Sequence, residues 1–292
     1  MGFKEVMDRA SAGDPAAQNA LGYIYYRGDG TAVDYNRAFI WFDMAAKQGD
    51  PEGECNAAYM YVHALGTNAN IDEALRLYTD AAEKGYPQAQ FNLGHMYSDG
   101  LGVEQDWAEA IRWYTRAYES GSVPACYRLA MIYEAGMGTE KDEAKAADLY
   151  LKCAYVGHDR ARVRLAAMLY EGRGVDRDVG RARKMMLEAA DKGNADAMLW
   201  VGRMCLSGEG MVKSKANARK WLSKAAVRGS EEARELLDSL GRAQARYTSQ
   251  GMHGRHEDER LPGGGHHAGA LHYKGEEPVL PEEIRGHRPL QG

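Results

Sequence analysis

One spacing governs this chain. Glycines with the same neighbours stand at Gly13, Gly49, Gly85, Gly121, Gly157, Gly193 and Gly229, 36 residues apart each time and without insertion. A period held this strictly means one supersecondary unit stacked on copies of itself, so the fold is constrained before any residue is given a role.

Aligning the chain on that period exposes the architecture. Small residues recur at fixed places, Ala38, Ala74, Ala110, Ala146, Ala182 and Ala218 at one and Ala17, Gly53, Ala89, Ala125, Ala161, Ala197 and Ala233 at another. They mark places where two backbones pass close together. Large apolar residues fall at i, i+4, i+7, i+8, as in Leu93, Met96 and Tyr97 after Ala89, which is the buried stripe of an α-helix. The second half of each unit has its own stripe, with Trp41, Leu77, Trp113, Leu149, Met185 and Trp221 each one residue before Phe42, Tyr78, Tyr114, Tyr150, Met186 and Leu222. Between the halves sits a glycine pair, such as Gly100 and Gly102, where the first helix ends and the chain reverses.

The order Ala89, Leu93, Gly94, Tyr97, Gly100, Gly102, Val103, then Ala110, Trp113, Tyr114, Ala117, closed by Lys-x-Gly endings such as Lys84-Gly85, resembles the Sel1-like repeat, a relative of the tetratricopeptide repeat with a longer inter-helix loop. The expected fold is therefore an all-α, right-handed α/α solenoid of six full repeats, 13–48, 49–84, 85–120, 121–156, 157–192 and 193–228. Residues 1–12 fit the second helix of a missing unit and would cap one end, since Phe3 aligns with Phe39 and Ala10 with Ala46. Residues 230–250 fit a C-terminal capping helix, where Asp238 stands at a position that is Gly or Ala in the six other units.

Two stretches depart from the pattern. Unit two reads Ala64-Leu65-Gly66-Thr67-Asn68-Ala69-Asn70 in place of the glycine pair, which predicts a differently shaped turn between intact helices. Beyond Gly251 six of the nine histidines gather with Gly263-Gly264-Gly265 and four prolines, a composition that cannot bury enough apolar surface to offset its ordering entropy, so residues 251–292 are expected to be disordered. Two readings compete with an inert tail: divalent-metal binding by His266, His267 and His272, and a short partner motif in Glu276-Glu-Pro-Val-Leu-Pro-Glu-Glu-Ile284.

Composition narrows the function. A net charge of −5 argues against a nucleic-acid protein, no segment reaches 18 apolar residues, and the first twelve lack a charged region followed by an apolar one; a soluble cytoplasmic protein without membrane insertion is expected. The disulfide-rich relatives resemble a ladder of cysteine pairs, but here Cys55, Cys126, Cys153 and Cys205 occupy four different repeat positions and are expected to be buried thiols. A bond between Cys126 and Cys153 stays geometrically conceivable. No nucleophile elbow, phosphate loop or His-Glu-x-x-His occurs, and His63, His95 and His158 fit helix-surface or cap roles.

With no catalytic or metal residues, no cofactor and no small-molecule substrate expected, function falls to the surface. The resemblance implies a non-enzymatic adaptor whose first helices line a concave groove. The stripe taken as opposite the core reads Ala16, Ala20, Tyr23 and Arg27, then Asn56, Tyr59 and His63, then Asn92, His95 and Asp99, then Arg128, Arg164, Trp200 and Arg203. Tyr23, Tyr59 and Trp200 are expected as exposed aromatic anchors, Asn56 and Asn92 as amides for an extended peptide, and the arginines as forks for carboxylates. The expected ligand is a peptide segment or acidic surface of a protein partner, in bacterial signalling, secretion or complex assembly. The alternatives are a β-lactamase-like hydrolase, as proposed for the disulfide-rich relatives, and metal binding by the tail.

Overall fold

The computed structural model describes residues 2–250, with side chains described as far as residue 242. The tail with His266, His267, His272 and the Glu276–Ile284 stretch lies outside the described residues, and with it both readings of the tail. Among the described residues all regular structure is α-helical. Phe3–Ser11 is α1. The first helices of the repeats are α2 (Pro15–Arg27), α4 (Pro51–Val62), α6 (Pro87–Asp99), α8 (Val123–Ala135), α10 (Asp159–Glu171) and α12 (Ala195–Ser207). Their second helices are α3 (Tyr35–Ala46), α5 (Ile71–Glu83), α7 (Trp107–Glu119), α9 (Glu143–Tyr155), α11 (Val179–Asp191) and α13 (Lys215–Val227), and α14 (Glu231–Gln250) follows.

Local chemistry starts these helices where they start. Asp14, Asp50, Ser122, His158 and Asn194 each accept a backbone N–H two or three residues on, capping α2, α4, α8, α10 and α12, and Asp34, Asn70, Asp106, Asp178 and Ser214 do the same for second helices. Pro15, Pro51 and Pro87 occupy the first helical position, where the missing N–H has no partner to lose. Lysine or arginine near the second helices' ends and glycine just beyond complete the unit.

The loop between the helices keeps one geometry. The capping residue of the second helix donates its N–H to a carbonyl nine residues back: Asp34 to Tyr25, Asn70 to Tyr61, Asp106 to Tyr97, Asp142 to Tyr133, Asp178 to Leu169 and Ser214 to Cys205, at 2.8–3.3 Å. Unit two follows the same rule, which corrects the expectation of a different turn. Ala64 holds the left-handed conformation of Gly100 (φ 51° against 69°), Gly66 that of Gly102 (66° against 71°), and Leu65 N bonds Met60 O as Leu101 N bonds Met96 O. An alanine there costs about 1–2 kcal/mol, which the loop's hydrogen bonds and the half-buried Leu65 outweigh.

The described chain divides into two compact units, residues 2–149 and residues 150–250. In the first, consecutive helices pack from α1 through α8; in the second, α10 packs on α11, α11 on α12, α12 on α13 and α13 on α14. In both, the core lies where a large second-helix side chain meets a small first-helix residue. A Cβ built on Gly22 would stand 2.5 Å from the Phe42 ring, one on Gly94 2.9 Å from Tyr114, and one on Gly202 2.8 Å from Leu222. Phe42, Tyr114 and Leu222 are buried, each contributing about 1.5–3 kcal/mol of apolar burial.

Within the first unit Val6 and Ala10 of α1 are buried on α2, while Phe3 stays half exposed, edge-on to Tyr25 at 6.4 Å. In the second, Ala233 is buried and Asp238 exposed on α14. The four cysteines are buried thiols, and Cys126 donates to Leu149 O at 3.4 Å.

Candidate functional site

The stripe expected to face solvent splits into two behaviours. In the first unit Tyr23, Asn56, Tyr59, Asn92, His95 and Arg128 are all buried, between 0% and 8% exposed, which corrects their assignment as an open groove lining. These positions are not the side opposite the core. They lie toward the seam between one first helix and the next, as Tyr23 of α2 does against Asn56 of α4.

Hydrogen bonds across that seam make the coverage concrete. The Tyr23 hydroxyl of α2 donates to Glu52 Oε1 at 2.8 Å and accepts from Asn56 Nδ2 at 2.8 Å, both on α4. Asn19 donates to the capping carboxylate of Asp50 at 2.6 Å and Asn92 approaches Cys55 Sγ at 3.9 Å, while within α6 Gln88 donates to Asn92 at 3.2 Å. Burial holds the Tyr23 phenol and the Cys55 thiol far above their ordinary values, so both stay protonated. Burial pushes the His95 imidazole down, Arg128 adds to that, and Asp99, 3.4 Å away, opposes it.

Side chains at the rim are those at the last turn of each first helix. Arg27 and His63 are half buried and occupy the same repeat position, each beside an aromatic ring four residues earlier: Arg27 lies 5.5 Å from the Tyr23 ring centre and His63 4.1 Å from that of Tyr59. Ala16 and Asp99 are exposed and Ala20 half buried. His63 is the C-terminal cap of α4 and His158, through Nδ1, the N-terminal cap of α10; His95 is instead inside the seam.

In the second unit Arg164, Trp200 and Arg203 remain half exposed. Trp200 meets Tyr170 edge-on at 5.5 Å and carries the Arg203 guanidinium 5.3 Å from its ring centre, while Arg203 pairs with Glu232 of α14. Burial lowers the basicity of Arg203, with Glu171 acting against it.

The seam also contains a serine, a histidine and an aspartate within five residues, the types a hydrolase would use. Ser98 does not serve that geometry. Its hydroxyl contacts His95 O at 2.9 Å, Asp99 Oδ1 at 3.0 Å and the Tyr114 hydroxyl at 3.3 Å; burial pushes Tyr114 up to about 12, with Asp99 adding to it and Arg128 and the Ser98 bond opposing it. Among the described residues no group of three or more His, Cys, Asp and Glu side chains could hold a metal ion, and no helix is long and apolar enough to cross a membrane.

What sequence reasoning missed was the seam itself. The signal for its first part was the uncharged run Tyr23, Asn56, Tyr59 and Asn92, where absence of charge reads as burial; Arg128, also buried, carries no such signal.

Comparison with known proteins places this geometry. The Sel1 repeat matches six times, over residues 15–50, 51–86, 87–122, 123–158, 159–194 and 195–230, a phase two residues later than the glycine spacing. The crystal structure of a protective antigen present in uropathogenic Escherichia coli strains, displaying an SLR fold, superposes with a TM-score of 0.73 at 32% identity. The match covers 80% of this chain and 50% of that one, so this chain spans half the antigen's length. A Sel1 repeat protein from Oxalobacter formigenes superposes with a TM-score of 0.68 at 33% identity over 74% of this chain and 89% of that one. No curated protein matches. On the six matches and the two superpositions, this chain belongs to the Sel1 repeat family.

Proposed function

We propose that the chain is a non-enzymatic adaptor, and that the first unit seats an extended segment of an acidic protein partner along the rims of α2, α4 and α6. Sel1 repeat proteins generally act as protein–protein interaction scaffolds, which supports the class of function. The observation that carries the placement is the pairing of Tyr23 with Arg27 and of Tyr59 with His63 at one repeat position. The rings are locked in the seam, so the groups above them are ordered before a partner arrives, which lowers the entropy cost of binding. The cytoplasm is the proposed compartment, in keeping with four cysteines that are buried thiols.

Photo-crosslinking residues placed at Ala16 and His63 of the full chain test this, with one at Arg76 on the outer face of α5 as control. The expected result is one partner captured from source cytosol at the first two positions and not at Arg76. Equal capture at all three would remove the placement.

A further inference from the structure

Second helices carry a row of charges on their outer face at spacing i, i+3, i+7, and the two units handle it differently. On α5 Arg76 engages Glu73 at 2.6 Å and Asp80 at 2.7 Å, and on α7 Arg112 engages Glu109 at 2.6 Å. In the second unit the positions of Glu73 and Glu109 are taken by Arg181 and Asn217, so Lys184 and Lys220, the counterparts of Arg76 and Arg112, have no acid one turn before them. Lys213 and Lys224 extend the row on α13. Arg181, Lys184, Lys213, Lys220 and Lys224 are all exposed, and none is in an ion pair among the described residues. Like charges one turn apart on a helix repel, as Arg181 and Lys184 do, so the row is held against its own repulsion and is open to an anionic surface from outside.

The chain itself holds the complementary charge. Residues 1–149 contain 12 Lys and Arg against 23 Asp and Glu, a net −11, whereas residues 150–250 contain 20 against 12, a net +8. Asp72, Glu104 and Glu140, at the entries to α5, α7 and α9, are exposed and in no ion pair among the described residues. None of the three is on a first helix, where the partner segment proposed above is seated. We infer that the cationic row on α11 and α13 docks the acidic first unit of a second copy of this chain, an inference that does not rest on the scaffold reading. Val227, 85% exposed one turn beyond Lys224, adds an apolar contact at the end of the row. An anionic lipid surface fits less well, because the chain as a whole is at −5 and would approach a membrane against its own charge, while unit on unit neutralises both.

The test compares the full chain with two charge-reversed variants by sedimentation velocity. Lys184→Glu with Lys213→Glu and Lys220→Glu turns the row acidic; Asp72→Lys with Glu104→Lys and Glu140→Lys turns the opposing surface basic. The full chain is expected to self-associate, with a Kd that rises about tenfold when salt goes from about 0.1 M to about 1 M and the screening length falls from about 10 Å to about 3 Å. Each variant alone is expected to lose association about tenfold or more, and an equimolar mixture to regain it, because each then presents the charge that the other lacks. A folding defect in either variant would not be repaired by mixing, and circular dichroism of each checks that helicity is unchanged. A full chain that stays monomeric at low salt, a variant that associates as well as the full chain, or a mixture that recovers nothing would each overturn the pairing. Binding of a monomeric full chain to vesicles of phosphatidylcholine with phosphatidylserine, lost only in the row variant, would overturn it in favour of lipid. Failed crosslinking at Ala16 and His63 would remove the scaffold placement and leave this pairing standing, since no residue of either variant is on a first helix.

Discussion

Two repeat positions that are sealed at Tyr23, Asn56 and Tyr59 in the first unit are half open at Trp200 and Arg203 in the second. Tyr23 of α2 and Asn56 of α4 are buried and bonded to each other across the seam, and Tyr59 is stacked beneath the rim side chain of His63, whereas Trp200 and Arg203 are held by a ring contact and an ion pair that water still reaches. Periodicity fixes where a side chain sits on its helix; the chemistry of the residue then decides whether a neighbour can close over it. A neutral amide or phenol can be covered once its hydrogen bonds are met, while a guanidinium beside an exposed glutamate keeps its water.

The sharpest way to break this contrast is to overfill both units at the same place. Gly22→Ala would drive a methyl into the Phe42 ring and is expected to cost about 1–3 kcal/mol in urea unfolding. Gly202→Ala meets the rotatable end of Leu222 and should cost less; equal losses would mean the two units are packed alike. Next comes the seam itself. Asn56→Ala removes the donor to Tyr23 and is expected to cost about 1–3 kcal/mol, against less than about 1 kcal/mol for Arg203→Ala, whose pair with Glu232 is solvent-screened.

Smaller effects sharpen the comparison within the first unit. Ala64→Gly relieves a left-handed alanine and is expected to stabilise by up to about 1 kcal/mol, while Gly100→Ala at the same repeat position destabilises by about 1–2 kcal/mol. Opposite signs at equivalent turns, read from thermal midpoints, would show that both turns demand one conformation. The smallest effect is in pH. His95 is held neutral by burial, so below its ordinary value of 6.5 the unfolded chain binds a proton that the folded chain resists, and stability falls as pH falls from there. Hydrogen exchange in α6 should therefore speed up between neutral pH and about pH 5.5, and less so in His95→Gln; an identical pH profile in the variant would exclude His95 as the cause.

Much of this was legible before the structure. The 36-residue glycine spacing, the alternation of Ala38 with Phe42 and of Ala17 with Leu21, and the Lys-x-Gly endings all act locally, so they can be read from neighbours in the chain. Coverage is different. Whether Tyr23 meets water depends on α4, a whole repeat away, and the angle of a residue around its own helix does not contain that information. The turn of unit two was misread for a related reason: Ala64 was weighed by its intrinsic preference, but its conformation is imposed by bonds from Leu65 and Asn70 back into α4.

Those loop bonds carry one more consequence. Each spans nine residues from a helix's final turns to the cap of its partner, so the loop works as a gear of fixed tooth count. Adding one residue would either break the bond or advance the second helix by about 100°, swinging a side chain such as Phe42 away from Gly22. A chain built this way can change its residues freely at the rim and can lengthen by whole repeats, but single insertions between paired helices strip the gear.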